Sequence, residues 1–264
     1  MSSLFSVEGK HALVTGGTRG IGRAICDLFL AQGAILQVVA RTAEELGTRV
    51  DAWRANGGTV EGIVADVSTA EGRWQVLHQV RARYEHLDLF VNCAGTNIRR
   101  RSVDYSIDEY RRVLDTNATA AFELSRHLHP LLRVAGDDDR GRRGRSTSVV
   151  FIGSTAGLST VPTGAPYAMS KAALDQLTRY LAVEWAPDGI RVNSVAPWYI
   201  RTPLVEDILA DEEYYQRVLG RTPLGRIGEP TEVAAAVLFL CGAGASFITG
   251  QTIAVDGGFL AKGM

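Results

Sequence analysis

The 264-residue chain predicts an α/β fold, a doubly wound parallel sheet of about seven strands with helices on both faces. Three observations carry this expectation. Short apolar runs alternate with longer amphipathic ones, the rhythm of strand–helix crossovers. A glycine-rich turn, "TGGTRGIG", stands where the first strand should hand over to the first helix. With 46% hydrophobic residues, the chain has enough apolar surface for one sizeable core.

The strand candidates are "HALVTG" (11–16), "ILQVV" (35–39), "TVEGIV" (59–64), "LDLFVN" (87–92), "SVVFIGS" (148–154), "IRVNSV" (190–195) and "QTIAV" (251–255). Helical patterns cover roughly 20–32, 43–56, 70–85, 107–135, 165–186, 205–219 and 231–242. No repeat or linker divides the chain, so residues 1–264 read as one domain with two embellishments. The segment 203–228, with Pro203, Pro223 and several aromatics, reads as a short helical lid over a ligand site. The stretch "GDDDRGRRGRS" (136–146), with three acidic residues, four basic ones and three glycines, reads as a mobile charged surface loop.

A net charge of −1 gives no electrostatic reason to expect nucleic acid or an anionic membrane. The N-terminus "MSSLFSVEGK" has neither a basic leader nor a long apolar run, and no window approaches a transmembrane length. A cytoplasmic protein is expected. Cys26, Cys93 and Cys241 are far apart without a CxxC spacing, and the five histidines show no ligand spacing, so neither a disulfide framework nor a metal site is expected.

Glycines after a strand and before a helix let the backbone approach a pyrophosphate, whose charge the helix N-terminus then stabilises. The spacing here, Thr15-Gly16-x-x-x-Gly20-x-Gly22, is longer than the common GxGxxG turn. The second strand ends in "LQVVARTAEEL", with Arg41 where a carboxylate would hold the ribose hydroxyl of NAD. Arg19 lies in the glycine turn, and a guanidinium suits a phosphate. Together they point to NADP(H). Glu44 and Glu45 come a turn later and read as helix-capping or solvated residues.

On the helix "GAPYAMSKAALDQL", Tyr167 and Lys171 are one turn apart and share a face. A phenol needs its pKa lowered from about 10 by roughly three units, about 4 kcal/mol, to exchange protons near neutrality. An ammonium about 5 Å away at an effective dielectric near 20 supplies about 3 kcal/mol. The pair therefore reads as an acid–base group with its tuning charge. Ser154 ends the preceding strand, thirteen positions before Tyr167.

These motifs, in this order, resemble the short-chain dehydrogenase/reductase family from about Val7 to Phe259. "TGGTRGIG" resembles its cofactor turn, "NCAG" (92–95) the segment after its fourth strand, and "LDTNATAAFEL" its helix asparagine, Asn117. "NCAGTNIRR", "NSVAPWYIRTPL" and "FITGQTIAVDGG" further resemble the tropinone reductase-like branch. The resemblance implies a Rossmann fold and a catalytic set of Asn117, Ser154, Tyr167 and Lys171. Lys171 would also hold the nicotinamide ribose hydroxyls, and Asn117 would fix a helix kink and a water leading from Lys171. It implies a cofactor site of Gly16, Thr18, Arg19, Gly20, Ile21, Gly22, Arg41, Asp66 (near the adenine), Val67, Asn92, Ala94, Gly95, Tyr167, Lys171, Pro197, Ile200 and Thr202. It also implies a homotetramer or homodimer paired through the long helices and the C-terminal segment.

One position departs from the family pattern. Trp198 follows Pro197 where the family usually has glycine. The indole reads equally as an apolar wall near the nicotinamide or as packing beneath the lid. By position, the substrate site would comprise Ser154, Asn97, Ile98, Leu158, Val161, Trp198, Leu204, Val205, Ile208 and Tyr215. Arg99, Arg100 and Arg101 read as a solvated face. The expected substrate is a modest-sized, largely hydrophobic ketone, with cyclic, tropinone-like ketones among the candidates, reduced with NADPH to a secondary alcohol. The alternatives are a 3-oxoacyl-[acyl-carrier-protein] reductase using Arg217, Arg221 and Arg226 as a basic patch, a sugar or sugar-acid dehydrogenase, and a non-catalytic NADP-binding sensor.

Overall fold

A computed structural model describes residues 4–133 and 147–262; the charged stretch 136–146 lies outside the described residues. Seven strands form one sheet: β1 (His11–Thr15), β2 (Ile35–Ala40), β3 (Thr59–Val64), β4 (Leu89–Asn92), β5 (Thr147–Ile152), β6 (Ile190–Pro197) and β7 (Thr252–Val255). Their order is β3-β2-β1-β4-β5-β6-β7, and every pairing is parallel. Helices cover both faces of such a sheet, so its inner strands are buried on both sides. All eight residues of β6 are buried, whereas the edge strand β3 alternates buried with exposed positions.

On one face α1 (Gly20–Ala31) and α2 (Ala43–Ala55) pack Ile25, Phe29, Leu46 and Val50 against Val14, Leu36 and Val38. On the other face α3 (Ala70–Arg83) contributes Val76, Leu77 and Val80 to a core around Phe90 and Phe151. The pattern over 107–135 resolves into α4 (Ile107–Leu114), a π-helical turn (Asp115–Thr119) and α5 (Ala120–Leu132). Ser106 and Glu109 cap the start of α4 reciprocally. The wide turn carries Asn117 inward, where it is fully buried. A four-residue helix, α6 (Thr155–Leu158), is too short to leave a periodic signal, and α7 (Ala165–Glu184) follows it from Gly164, whose φ of 98° suits glycine alone.

The pattern over 205–219 is two helices, α8 (Glu206–Leu209) and α9 (Glu212–Arg221), and α10 (Pro230–Cys241) then returns to the face of α1. Tyr199, Val205, Val218 and Ile227 give the α8–α9 segment a small core of its own, outside the two main ones. The topology reverses at β1, which lies between β2 and β4. Connections leaving β1 and β4 diverge there and open a crevice at the carboxyl ends of the strands, where ligands of such sheets bind.

At the opposite strand ends, His11, His86 and Asp88 bring ligand atoms within 4.8 Å of one another. Asp88 already accepts the His11 backbone N–H at 3.0 Å, and the His11 ring stacks on Tyr84. Their separation along the chain is why no ligand spacing reveals the group.

Candidate active site

A cleft of about 570 Å³ runs across the crevice. At one end the chain leaves β1 and folds back on itself. A Cβ on Gly22 would lie 2.1 Å from the Gly16 carbonyl oxygen, and one on Gly16, whose φ is 70°, would lie 2.9 Å from Ala94 Cα. Side chains at either position would fill the cradle. The first turn of α1 carries no acidic residue, and its cap, Arg19, makes no side-chain capping bond. Its backbone N–H groups thus face a cleft with room for an anion.

Thr18, Arg19, Gly20, Ile21, Arg41, Asp66, Val67, Ala94, Gly95, Pro197, Ile200 and Thr202 all line this cleft with Gly16 and Gly22. Asn92 does not. Buried beneath it, the Asn92 Oδ1 accepts from Thr15 Oγ1 at 3.1 Å, and that Thr15 oxygen accepts from the Cys93 and Ala94 N–H groups at 3.2 and 3.1 Å. Asn92 therefore braces the backbone that lines the site. Arg19 and Arg41 are exposed, and neither is in a salt bridge among the described residues. Glu45, expected only to cap or solvate its helix, also borders the cleft. Burial alone would raise the Asp66 carboxyl, but hydrogen bonds from Ser68 and the charges of Arg41 and Arg112 bring its pKa below the ordinary value.

At the other end Ser154, Tyr167 and Lys171 converge. Ser154 caps α6, its Oγ accepting from the Ala156 N–H at 3.1 Å. Lys171 is 4% exposed; its Nζ donates to the Ile152 carbonyl at 2.7 Å and lies 5.6 Å from the centroid of the Tyr167 ring. Burial pushes this ammonium down from its ordinary 10.5 to about 8. The Tyr167 phenol stands above its ordinary pKa because burial outweighs the hydrogen bond with Ser154 and the charge of Arg99. This corrects the sequence expectation that Lys171 lowers the phenol. In the protein alone, the ammonium is directed at Ile152 and desolvation dominates.

Asn117 lies behind the cleft rather than in it. Its Oδ1 accepts the Thr96 N–H at 2.8 Å, and its Nδ2 donates to the Thr96 carbonyl and to Ser170 Oγ, both at 2.9 Å. These bonds tie the segment after β4 to α7 beside Lys171. A Cβ on Gly95 would lie 3.5 Å from Asn117 Oδ1 and 3.6 Å from Lys171 Nζ, so all three meet at one point.

Of the expected substrate residues, Ser154, Asn97, Val161, Trp198, Leu204 and Val205 line the cleft. Four do not. Ile98 offers its carbonyl to the Tyr105 hydroxyl, Leu158 is 43% exposed, and Ile208 and Tyr215 pack into the small core of the α8–α9 segment. Position along the chain located the segment, but its local packing decides which side chains turn inward. Trp198 borders the cleft, and it stacks on Phe259 at 3.7 Å while donating to Thr222 Oγ1 at 3.1 Å. Among the described residues no non-glycine residue has a positive φ, so tryptophan replaces glycine there without backbone strain.

Thr163, Tyr199 and Arg99 line the cleft without having been anticipated. Arg99 was hidden in a run of three arginines. Arg100 pairs with Glu109 at 2.8 Å, whereas Arg99 turns into the cleft.

A family model described as enoyl-(acyl carrier protein) reductase matches residues 16–260. A tropinone reductase homolog of Arabidopsis thaliana is 46% identical over 260 residues, 98% of this chain and 95% of its own. The chain belongs to the short-chain dehydrogenase/reductase family. The fold agrees with that of a putative NAD(P)-dependent gluconate 5-dehydrogenase from Beutenbergia cavernae with bound NADP. That structure has a TM-score of 0.91 and 35% identity, over 98% of this chain and 100% of the other. A gluconate 5-dehydrogenase from Burkholderia cenocepacia, in complex with NADP and tartrate, gives 0.90 and 28% over 98% of each chain. The protein is an NADP-dependent oxidoreductase.

The residues present fit that cofactor. The glycine cradle and the open first turn of α1 suit a pyrophosphate, and the two exposed guanidinium groups suit a further phosphate. No helix among the described residues is long and apolar enough to cross a membrane.

Proposed function

We propose that the protein reduces the carbonyl of a modest-sized, mainly apolar ketone to a secondary alcohol, with Tyr167 as proton donor. The observation that carries this reading is the convergence of Ser154, Tyr167 and Lys171 at one end of a cleft whose other end is the glycine cradle. NADPH, when bound, supplies the hydride that adds to the carbonyl carbon. Tyr167 gives its phenolic proton to the carbonyl oxygen, and the Ser154 hydroxyl donates to that oxygen as its charge grows. Lys171 holds the ribose hydroxyls and favours the phenolate left behind. Asn117 positions Lys171 through Ser170 and the Thr96 backbone. Val161, Trp198, Leu204 and Val205 are walls suited to the apolar ring of a cyclic ketone, and α8–α9 is the lid over it.

The test is NADPH consumption, followed by absorbance, with a panel of cyclic, aliphatic and aromatic ketones. Arg41 and Arg19 serve the cofactor phosphate in this reading. Arg41→Asp is expected to lower the preference for NADPH over NADH by about 10², since it replaces a charge-assisted bond with a ribose acceptor. An unchanged preference would remove Arg41 from the cofactor site.

The acyl-carrier alternative has less support. Arg226 is held by Glu232 at 2.6 and 2.8 Å, and Arg217 lies over the Tyr214 ring, so the expected basic patch is largely occupied. The complete Ser154–Tyr167–Lys171 set argues against a non-catalytic sensor. Phe122 on α5 and Met169, Tyr180 and Val183 on α7 are exposed, which supports pairing of copies through these helices. Sedimentation is expected to show an oligomer, and a monomer at micromolar concentration would remove this part of the reading.

A further inference from the structure

We infer that Arg99 anchors an anionic group on the substrate, so that the ketone taken by this cleft combines an apolar body with a carboxylate-sized anion. This rests on the reductase reading and narrows it. Arg99 is half-buried on the loop after β4, in the same cleft as Asn97, Tyr167, Trp198 and Tyr199. Among the described residues it makes neither a hydrogen bond nor an ion pair, although its neighbour Arg100 is fixed to Glu109. Its charge reaches the reacting group: it pulls down the phenols of both Tyr167 and Tyr199, against the burial that raises each. A guanidinium drawn out of water wants an anion, and its planar fork matches a carboxylate.

A second observation stands beside it. Thr163 is 7% exposed and borders the cleft, yet its Oγ1 has no hydrogen-bond partner, and neither has the buried Oδ1 of Asn97. Buried polar atoms without partners are costly, and the apolar walls cannot satisfy them. A ligand with polar substituents can. The carboxylates bordering the cleft do not neutralise Arg99. Glu45 and Asp66 belong to the end near Arg41, and the exposed Asp207 on α8 is beyond salt-bridge distance. The same charge disfavours a protonated amino ketone.

The test uses cyclohexanones bearing a methyl, a carboxylate or an ammonium group opposite the carbonyl, with NADPH. Wild-type kcat/KM is expected to rank carboxylate over methyl over ammonium. Arg99→Gln should lower the carboxylate-to-methyl ratio by at least about tenfold, and Arg99→Lys should restore part of it. In parallel, calorimetry measures cyclohexanecarboxylate binding to the NADP⁺ complex, where Arg99→Gln should weaken binding by a similar factor. If the ketones are reduced without a carboxylate preference, or the ratio survives in Arg99→Gln, the anchor is refuted and the reductase reading stands. If none is reduced, that reading fails for such ketones, and calorimetry alone decides. Weaker binding by the variant supports the anchor, and equal binding overturns it.

Discussion

Tyr167→Phe is expected to lower kcat for ketone reduction by about 10³, with NADPH still bound and the fold intact. The ring stays in place, because it packs against the small buried cluster of Ala156, Val161 and Phe259. Only the hydroxyl is lost, and with it the proton donor to the alkoxide oxygen. The residual rate would come from Ser154 and from positioning of the ketone beside the cofactor. Single-turnover decay of NADPH fluorescence checks this, and calorimetric NADPH binding confirms that the site survives. A variant that reduces ketones at the wild-type rate would transfer the proton-donor role to another group.

Lys171→Met gives the second large effect, and it separates activity from stability. The ammonium 5.6 Å from the Tyr167 ring centroid is the charge that the proposed mechanism sets beside the phenolate formed during reduction, and without it kcat is expected to fall by about 10². Loss of the bond to the ribose adds a weaker affinity for NADPH. Stability moves the other way. The folded-state pKa of Lys171 falls from 10.5 to about 8. Below pH 8 both folded and unfolded states hold the proton, and the folded state carries the full cost of a desolvated charge. Between about 8 and 10.5 only the unfolded chain is protonated, so stability rises with pH. The relief amounts to roughly 3 kcal/mol, from which the bond to Ile152 must be subtracted in the variant. Lys171→Met should thus unfold no more readily than wild type at neutral pH, and its stability should lack the rise above pH 8. Thermal unfolding across that range checks both expectations. A markedly less stable variant would mean that the Ile152 bond outweighs desolvation.

Much of the sheet can be read directly from the chain, because buried parallel strands leave apolar runs; β6, expected over 190–195, runs from Ile190 to Pro197 and is buried along its whole length. The glycine turn is legible for a related reason: a close backbone approach admits no other residue. Helices are less clear at functional kinks. A single helical pattern runs through 107–135, yet the π-helical turn at Asp115–Thr119 breaks it, and the break is what buries Asn117. Nothing in hydrophobic periodicity marks an extra residue in one turn.

The site shows the same division. Spacing puts Tyr167 and Lys171 on one face, but only the fold reveals that the ammonium is directed to the Ile152 carbonyl and that burial governs both pKa values. Arg99 illustrates the limit most sharply. Three consecutive arginines resemble a solvated face, and only the fold shows that Arg100 pairs with Glu109 while Arg99 borders the cleft. Likewise, Ile208 and Tyr215 sit on the right segment and still point into its own small core.

The central claim is that a hydride from NADPH reaches a carbonyl carbon in this cleft while Tyr167 protonates the oxygen. The direct measurement is the fate of deuterium when NADPH carrying deuterium at both nicotinamide C4 positions is incubated with each ketone of the panel. The account predicts one deuterium on the carbinol carbon of the alcohol, formed rapidly by the wild type and about 10³ more slowly by Tyr167→Phe. Unlabelled alcohol, or equal rates of labelling by the two proteins, would contradict it.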